Sequence, residues 1–497
     1  MDIYYYSKSY SKFLNQWVFF ICITMLCFST GCKKFIEVPA PITSTNTDIV
    51  FSDDAQAASV VTALLAQISE SHTSANGGIG SVSIITDLSA DNLSLATSAF
   101  AVNDAYAQYY QNHLNPLYTY QQGVQSFWQK MYPMIYTVNS TINGLNKSDK
   151  VTAAVKKRLL GEAYFLRAFF YFYLVNFYGD VPLVLDIDYK VNSVIARSSS
   201  SGVYNQIIAD LNQSLELMDD RYVNSDVTTT TVERIRPNKQ TVYALLARTQ
   251  LYLKKYSQAE TAATDIINQS SLYSVNIPLN TVFLKNSQET IWALQSVNSG
   301  YNTYEGDLFK LTAAGPVYPR ALYASSSFYR SFEDGDQRKS IWLDSVKVGT
   351  QVFPFASKYK VSGGNYNSGS LTEYEIVFRI AEQYLIRAEA RNEQGNTAGA
   401  KSDLNAVRNR AGLGNTTANT QSELRDAILK ERRVELFTEW GHRWLDLKRS
   451  GTIDAVMQIA TPLKGGGTWN STKALYPVPI SDIRYNRNLT QNPGYSN

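Results

Sequence analysis

Apolar positions along this chain recur mostly at steps of three and four, the period of a helix with one buried stripe, so the pattern predicts a mostly α-helical protein. The spacing runs through 54–68, resumes at Trp128, Tyr132, Ile135, Asn139 and Ile142, and returns over 203–218. Over 153–177 the stripe widens until Tyr164 to Leu174 are apolar nearly all round, as in a helix surrounded by core. Gly179 suits a left-handed C-terminal cap there and Pro182 forbids continuation. Arg167 falls inside this apolar run and needs a partner, for which a glutamate of the C-terminal segment is the candidate.

One helical pattern occurs twice. Tyr243, Ala247, Ala259, Ala263 and Ile266 recur as Tyr384, Ala388, Ala400, Leu404 and Val407, each 141 positions later. A large and a small residue on a first helix, then a small and two apolar residues on a second, is the spacing of a tetratricopeptide helix pair. Fewer than three such units rarely stand alone, so degenerate partners are expected: 153–177 with 203–218, and 128–145 with one more helix. Between the two clear pairs the texture changes. Residues 290–295 alternate like a strand, and onward to about 371 the chain is rich in Gly, Ser, Asn and Tyr without helical period. The fold class expected is mostly α, with tetratricopeptide-like helix pairs as scaffold and an irregular region of loops and short strands packed on it. Long irregular segments in an ordered protein tend to carry function.

The segment 431–449 departs from the pattern by its density of charge. Stepping 100° per residue from Leu424, the stripe of Leu424, Ala427 and Ile428 carries Glu431 and Glu435 to within roughly 20° of Leu424. Buried carboxylates must be paired or lose their charge, and Arg432, Arg443, Lys448 and Arg449 are the nearby cations. Two readings follow. Glutamates one turn apart suit an acid/base pair for sugar hydrolysis, where the carboxyls stand about 5 to 9 Å apart. The alternative, which weighs more because adjacent carboxylates alone make no cleft, is a structural charge network of Arg167, Glu431, Arg432, Glu435 and Arg443.

Composition narrows the chemistry. With 497 residues, 44% of them hydrophobic, the chain can bury a large core. A net charge of +3 with both signs interspersed gives no nucleic-acid footprint. Tyrosine is the outlier at 34 residues, and its hydroxyl wants water or a partner, so many rings are expected at surfaces or in grooves. Two tyrosine-rich stretches are interleaved with amides and carboxylates. Tyr106, Tyr109, Tyr110, Tyr118, Tyr301, Tyr304, Tyr318 and Tyr323 are the candidate ligand-binding residues, since pyranose C–H faces stack on rings while amides take the hydroxyls.

At the N-terminus Lys8 and Lys12 precede an apolar run over 13–28 and then Ser29-Thr30-Gly31-Cys32. The run is too short and, with Asn15 and Gln16, too polar for a spanning helix of about 20 apolar residues. It reads as a secretory signal over 1–31, with Cys32 as the lipid attachment and a Pro- and Thr-rich tether over 32–48. Cys22, Cys27 and Cys32 are all the cysteines, so a mature chain keeps one acylated cysteine and no disulfide, thiolate nucleophile or Cys-ligated zinc. His72, His113 and His442 lack metal-binding spacing, and no phosphate loop or nucleophile elbow is present, so neither cofactor nor metal is expected.

The charged segment 431–449, together with Arg379 to Ala390, Leu404 to Arg408, Arg410 to Leu413, Tyr476-Pro477-Val478-Pro479 and Gln491 to Tyr495, resembles the C-terminal signature of the SusD/RagB family. Phe177-Tyr178-Gly179-Asp180-Val181-Pro182-Leu183 and the start at Cys32-Lys33-Lys34-Phe35 extend the likeness. The resemblance implies one SusD-like domain over 49–497, with an N-terminal part at about 49–235 and a C-terminal part at about 270–497. It further implies a non-catalytic surface lipoprotein of the outer membrane that captures oligosaccharide for a SusC-like TonB-dependent transporter. A peptide-capturing, RagB-like role is the alternative ligand class, and a glycoside hydrolase using Glu431 and Glu435 is the catalytic one.

Overall fold

The computed structural model describes residues 50–70, 82–97, 104–116, 125–297, 302–362 and 371–496. The predicted signal segment, Cys32 and the tether lie outside the described residues, as do Tyr118 and Tyr301. The chain runs through α1 (Asp54–Glu70), α2 (Val82–Ser89), β1 (Leu93–Leu95), α3 (Asp104–Tyr110), α4 (Gln125–Lys147), α5 (Ala153–Tyr178), α6 (Ser200–Leu217), α7 (Lys239–Tyr252) and α8 (Tyr256–Ile267). A stretch of short elements follows, with β2 (Thr290–Leu294), α9 (Tyr304–Phe309), β3 (Leu322–Ala324), β4 (Leu343–Val348), β5 (Gln351–Ala356) and β6 (Glu375–Arg379). Helices then resume as α10 (Ile380–Glu393), α11 (Thr397–Arg410), α12 (Gln421–Glu435), α13 (His442–Ser450), α14 (Ile453–Leu463) and α15 (Ile480–Tyr485).

The doubled pattern is α7 with α8 and α10 with α11, whose starts repeat the same offset of 141. Ala247, Ala259, Ala388 and Ala400 are buried at the helix contacts while Tyr243 and Tyr384 stay half-exposed beside them. Packing passes from helix to helix: α5 on α6, α6 on α7, α7 on α8, α8 on α10, α10 on α11 and α11 on α12. The expected pairing of α5 with α6 is therefore present, and α4 packs on α5 with α1 beside both. The stack is locked by charge as well as by shape. Arg248 of α7 grips Glu382 of α10 through two bonds of 2.6 and 2.7 Å, and Arg391 of α10 reaches Glu260 of α8 at 2.8 Å.

Helix α5 is the axis of the core. Most of its length is buried, and Trp292 of β2 packs edge-on against Phe165 and Phe169 at 5.3 and 5.4 Å. It stops where the sequence predicts: Gly179 has φ 71° and its N–H returns to the Val175 carbonyl. Arg167 finds its partner elsewhere than expected. It donates to both oxygens of Asp210 on α6, at 2.6 and 2.8 Å, and to Asn139 of α4 at 2.9 Å, so no C-terminal glutamate is involved. The adjacent helix supplies the nearest carboxylate.

Strand β2 pairs antiparallel with β6, and both are buried throughout. This clasp closes the irregular stretch onto the scaffold, because the chain leaves α8 and re-enters at α10, its immediate neighbour. The stretch contributes two further ribbons, the β4–β5 hairpin and β3 paired with β1. No helix among the described residues is long and apolar enough to cross a membrane.

Close helix approach depends on the buried alanines. Ala247→Leu and Ala388→Leu should each destabilise the protein by about 1–3 kcal/mol through overpacking, read as a lower denaturant midpoint with unchanged slope. A neutral result at both positions would show that these helices do not meet closely.

Candidate functional site

Glu431 and Glu435 lie at the last turn of α12, on the inward stripe with Leu424 and Ile428, as their spacing requires. They are 2% and 0% exposed. Arg338 donates to Glu435 at 2.7 Å and pairs with Glu431 and Asp336 at 2.7 and 2.8 Å. Arg379 pairs with Glu435, Glu289 and Glu439 at 2.5, 3.0 and 2.7 Å, and Arg410 bonds both Glu289 and Glu435. Arg408 reaches Glu431 at 3.2 Å, and Lys358 pairs with Glu439 while its ammonium lies 3.9 Å from the centre of the Phe437 ring. Such a pair cannot meet a substrate, so the acid/base reading of Glu431 and Glu435 is overturned by burial and by full occupation with cations.

The partners differ from those the sequence offered. Arg432 pairs with Asp446, Arg443 with Asp91, and Arg449 with Asp446 and Glu389, while Lys448 donates to the Asn176 carbonyl. Arg432 precedes the turn between α12 and α13, on α12 itself. For Arg443, Lys448 and Arg449 the reason is that turn, where Thr438, Trp440 and Gly441 all have positive φ, 51°, 42° and 83°. Non-glycine residues resist this conformation by roughly 1–2 kcal/mol each. Helix α2 holds them there: Thr438 N–H donates to Asp87 at 2.8 Å and Trp440 N–H to the Ser83 hydroxyl at 2.9 Å. The chain is thereby redirected, and the cations after the turn serve another part of the core.

Environment separates the two glutamates. Burial pushes Glu435 up, but Arg410, Arg379 and Arg338 outweigh it and hold the carboxyl well below the usual range. At Glu431 burial prevails over Arg338 and Arg408, and its carboxyl is raised.

A different region is open to solvent. A cavity of about 610 Å³ is lined by Tyr110, Gln111, Val317, Tyr323, Phe353 and Lys464 together with smaller neighbours. A second hollow of about 330 Å³ shares Tyr323, Gln351 and Phe353 with it and adds Tyr329 and Arg330, so the two adjoin and are taken together as the groove. Its floor is built from the end of α3, the β3 strand, the β4–β5 hairpin and the end of α14. Tyr323 and Phe353 meet edge to face, with centroids 5.3 Å apart. Gly466 lets α3 approach, since a Cβ there would lie 1.9 Å from the Gln111 carbonyl oxygen. The Lys464 ammonium donates to the carbonyls of Leu88, Ser89 and Ala90 at 2.9, 3.0 and 2.8 Å, capping α2, and lies 5.4 Å from the centre of the Tyr110 ring. Burial pushes this ammonium down to about 7.

The structure brings the two tyrosine stretches to one place. Tyr110 and Tyr323 line the groove together, and Tyr304 and Tyr318 lie near enough to Tyr106 to raise its phenol further after burial has done so. Their roles differ. Tyr106 and Tyr109 are 6% and 2% exposed, and Tyr109 packs on Tyr476 at 5.2 Å, so both rings sit in the core. Tyr304 is half-buried at the start of α9, and Tyr318 is 49% exposed on the turn beside Pro316 and Val317. Many other tyrosines are core residues with internal partners, against the expectation from composition: Tyr171 bonds the Val184 backbone, and Tyr222 pairs with Tyr273. Sequence reasoning missed Gln351, Phe353 and Lys464. The alternation of 343–348 and 351–356 about Gly349-Thr350 was the available signal for the first two.

Two family models match the chain: "SusD family" over 347–495 and "Starch-binding associating with outer membrane" over 34–253. SusD-like protein P2 of Formosa agariphila is 29% identical over 428 residues, covering 75% of this chain and 81% of its own. The starch-binding protein SusD of Bacteroides thetaiotaomicron is 33% identical over 168 residues, 32% of this chain and 29% of its own. Among solved structures, a SusD-like protein from Bacteroides fragilis superposes with a TM-score of 0.75 at 22% identity, covering 92% of this chain and 100% of that one.

Glu435→Gln should cost about 3–5 kcal/mol, because it leaves buried guanidiniums uncompensated, and Glu431→Gln should cost less, since burial already raises that carboxyl and offsets part of what its cations contribute. Depressed carboxyls at Glu435 and Asp446 stabilise the fold above the ordinary carboxylate range, near 4, and lose that contribution as pH falls through their folded values. Glu431 has the opposite sign, its contribution fading as pH rises through its raised value. Thermal melts should therefore show stability falling on acidification below about pH 4, with a shallower fall in Glu435→Gln; equal losses in both variants would contradict the asymmetry.

Proposed function

We propose, from the premise that this chain belongs to the SusD family, that it is a non-catalytic glycan-binding protein of the outer membrane. It captures oligosaccharide in the groove between Tyr110 and Tyr329 and delivers it to a SusC-like TonB-dependent transporter. The observation that carries this reading is the groove itself: Tyr110, Tyr323 and Phe353 offer ring surface, and Gln111 and Gln351 supply amides that both donate and accept. Ring faces take the C–H side of a pyranose and amides take its hydroxyls. The matched family description, starch-binding and associating with the outer membrane, supports the same ligand class. Capture without chemistry also fits the burial of Glu431 and Glu435.

Anchoring through Cys32 places the protein at the membrane surface, with 32–48 as a tether. Two or three acyl chains give stable attachment where one is marginal. Binding for handoff must also be reversible, which favours affinities around micromolar, about −8 kcal/mol.

Tyr323→Ala and Phe353→Ala should each weaken glycan binding by about 1 kcal/mol, a factor of roughly five, with melting unchanged because both residues border solvent. Affinity electrophoresis against a polysaccharide panel measures it. Unaltered retardation in both variants retires the groove; no retardation by any glycan alongside tight peptide binding moves the ligand to peptide; release of reducing ends would restore an enzyme. For the anchor, Cys32→Ala should abolish labelling by radioactive palmitate and leave an unprocessed precursor, and persistent labelling would refute the assignment.

A further inference from the structure

The charges along the groove are of one sign. Its lining includes Lys464 at one end and Arg330 at the other, and among the described lining residues there is no Asp or Glu. Lys339 adds a third cation, its ammonium 4.4 Å from the centre of the Tyr329 ring. This is unusual for the molecule. Most of its other arginines are committed to carboxylates, as at Arg338, Arg379, Arg387, Arg408 and Arg432. Arg330 and Lys339 make no ion pair among the described residues; of the acids between them in sequence, Glu333 is taken by Arg408 and Lys430, Asp336 by Arg338, and Asp334 is exposed.

We propose that the groove selects glycans bearing an anionic substituent, a uronate carboxylate or a sulfate ester, with Arg330 and Lys339 receiving the anion beside Tyr329. The inference rests on the glycan reading above and deepens it. A guanidinium presents paired donors that match the two oxygens of a carboxylate or sulfate, and charge-assisted bonds of this kind are about twice as strong as neutral ones. Carboxylates, which would accept hydroxyl protons from a neutral sugar and repel an anionic one, are what the described lining lacks. Lys464 is not part of the anion subsite: its amine is buried, pushed down to about 7, and consumed by three carbonyls, so it does not grip a ligand. Asp91, the nearest acid acting on it, is already paired with Arg433 and Arg443.

Calorimetric titration of the full chain with matched oligosaccharides tests this in two arms: an oligogalacturonate against its methyl ester, and a sulfated galactan oligosaccharide against its desulfated form. In at least one arm the anionic member should bind several-fold more tightly, and the arm that shows it names the anion. The preference should shrink as salt shortens the screening length from about 10 Å at 0.1 M to 3 Å at 1 M. Arg330→Gln with Lys339→Gln should remove the preference, bringing the two members of the pair to similar affinity, with the melting temperature unchanged. Equal or tighter binding of the neutral members in both arms, or a preference that survives the double substitution, overturns this inference and leaves glycan capture standing. Binding of none of the four ligands, nor of any glycan in the panel, removes both together.

Discussion

The fold depends on keeping a dense set of charges dry. Glu289, Asp336, Glu431, Glu435 and Glu439 face Arg338, Lys358, Arg379, Arg408 and Arg410 inside the core, and the aromatic walls of Trp342, Phe283 and Phe437 close around them. Desolvating ions costs several kcal/mol apiece, so such a network is tolerated only when every member is met by geometry. Its members come from the residues before β2, Asp336 and the short turn of helix at Arg338–Ile341, Lys358 after β5, β6, the ends of α11 and α12, and Glu439 in the turn that follows. Those elements are the seam between the helical stack and the irregular cover. Shape alone would let the cover slide; directional charge pairs fix where it sits.

How much of this could be read from the chain alone varies with the range of the interaction. Helix positions and the paired repeat are local consequences of period, and α7, α8, α10 and α11 begin where the duplicated spacing says. The inward direction of Glu431 and Glu435 is equally local. Their partners are not, because Arg338 and Arg379 are distant in sequence and the left-handed turn at Thr438 and Trp440 sends the nearer cations away. A helical wheel has no term for either fact. The tyrosines show the same limit: Tyr109 and Tyr110 are consecutive, yet one packs under Tyr476 and the other lines the groove. Composition names the ring and leaves its side of the wall to tertiary contacts. Phe353 and Gln351 carry no compositional mark of this kind, because the hairpin that holds them contains no tyrosine.

Polar groups are used in two distinct ways in this molecule. Inside, each guanidinium is committed and immobilised, and Tyr hydroxyls end on carbonyls or on one another. Around the groove, amides and two cations are left toward water, on a hairpin and turns beside the β1–β3 pairing. Rigid support under solvated side chains lowers the ordering cost of binding.

The β2–β6 clasp has an evolutionary consequence. Because the irregular stretch begins and ends at adjacent strands, its two ends are fixed to each other whatever lies between, and lengthening a closed loop adds only about 0.6 kcal/mol per doubling. Insertions and deletions can therefore accumulate in the parts of the segment that carry no member of the charge network, without disturbing the register of α8 against α10, while Asp336, Arg338 and Lys358 stay fixed by their partners. The family models match 34–253 and 347–495, and the interval between them contains Tyr304, Tyr318, Tyr323 and Arg330 along with α8 and β2. The clasp works as a socket, and new ligand preferences can be plugged into it while the helical stack is inherited intact.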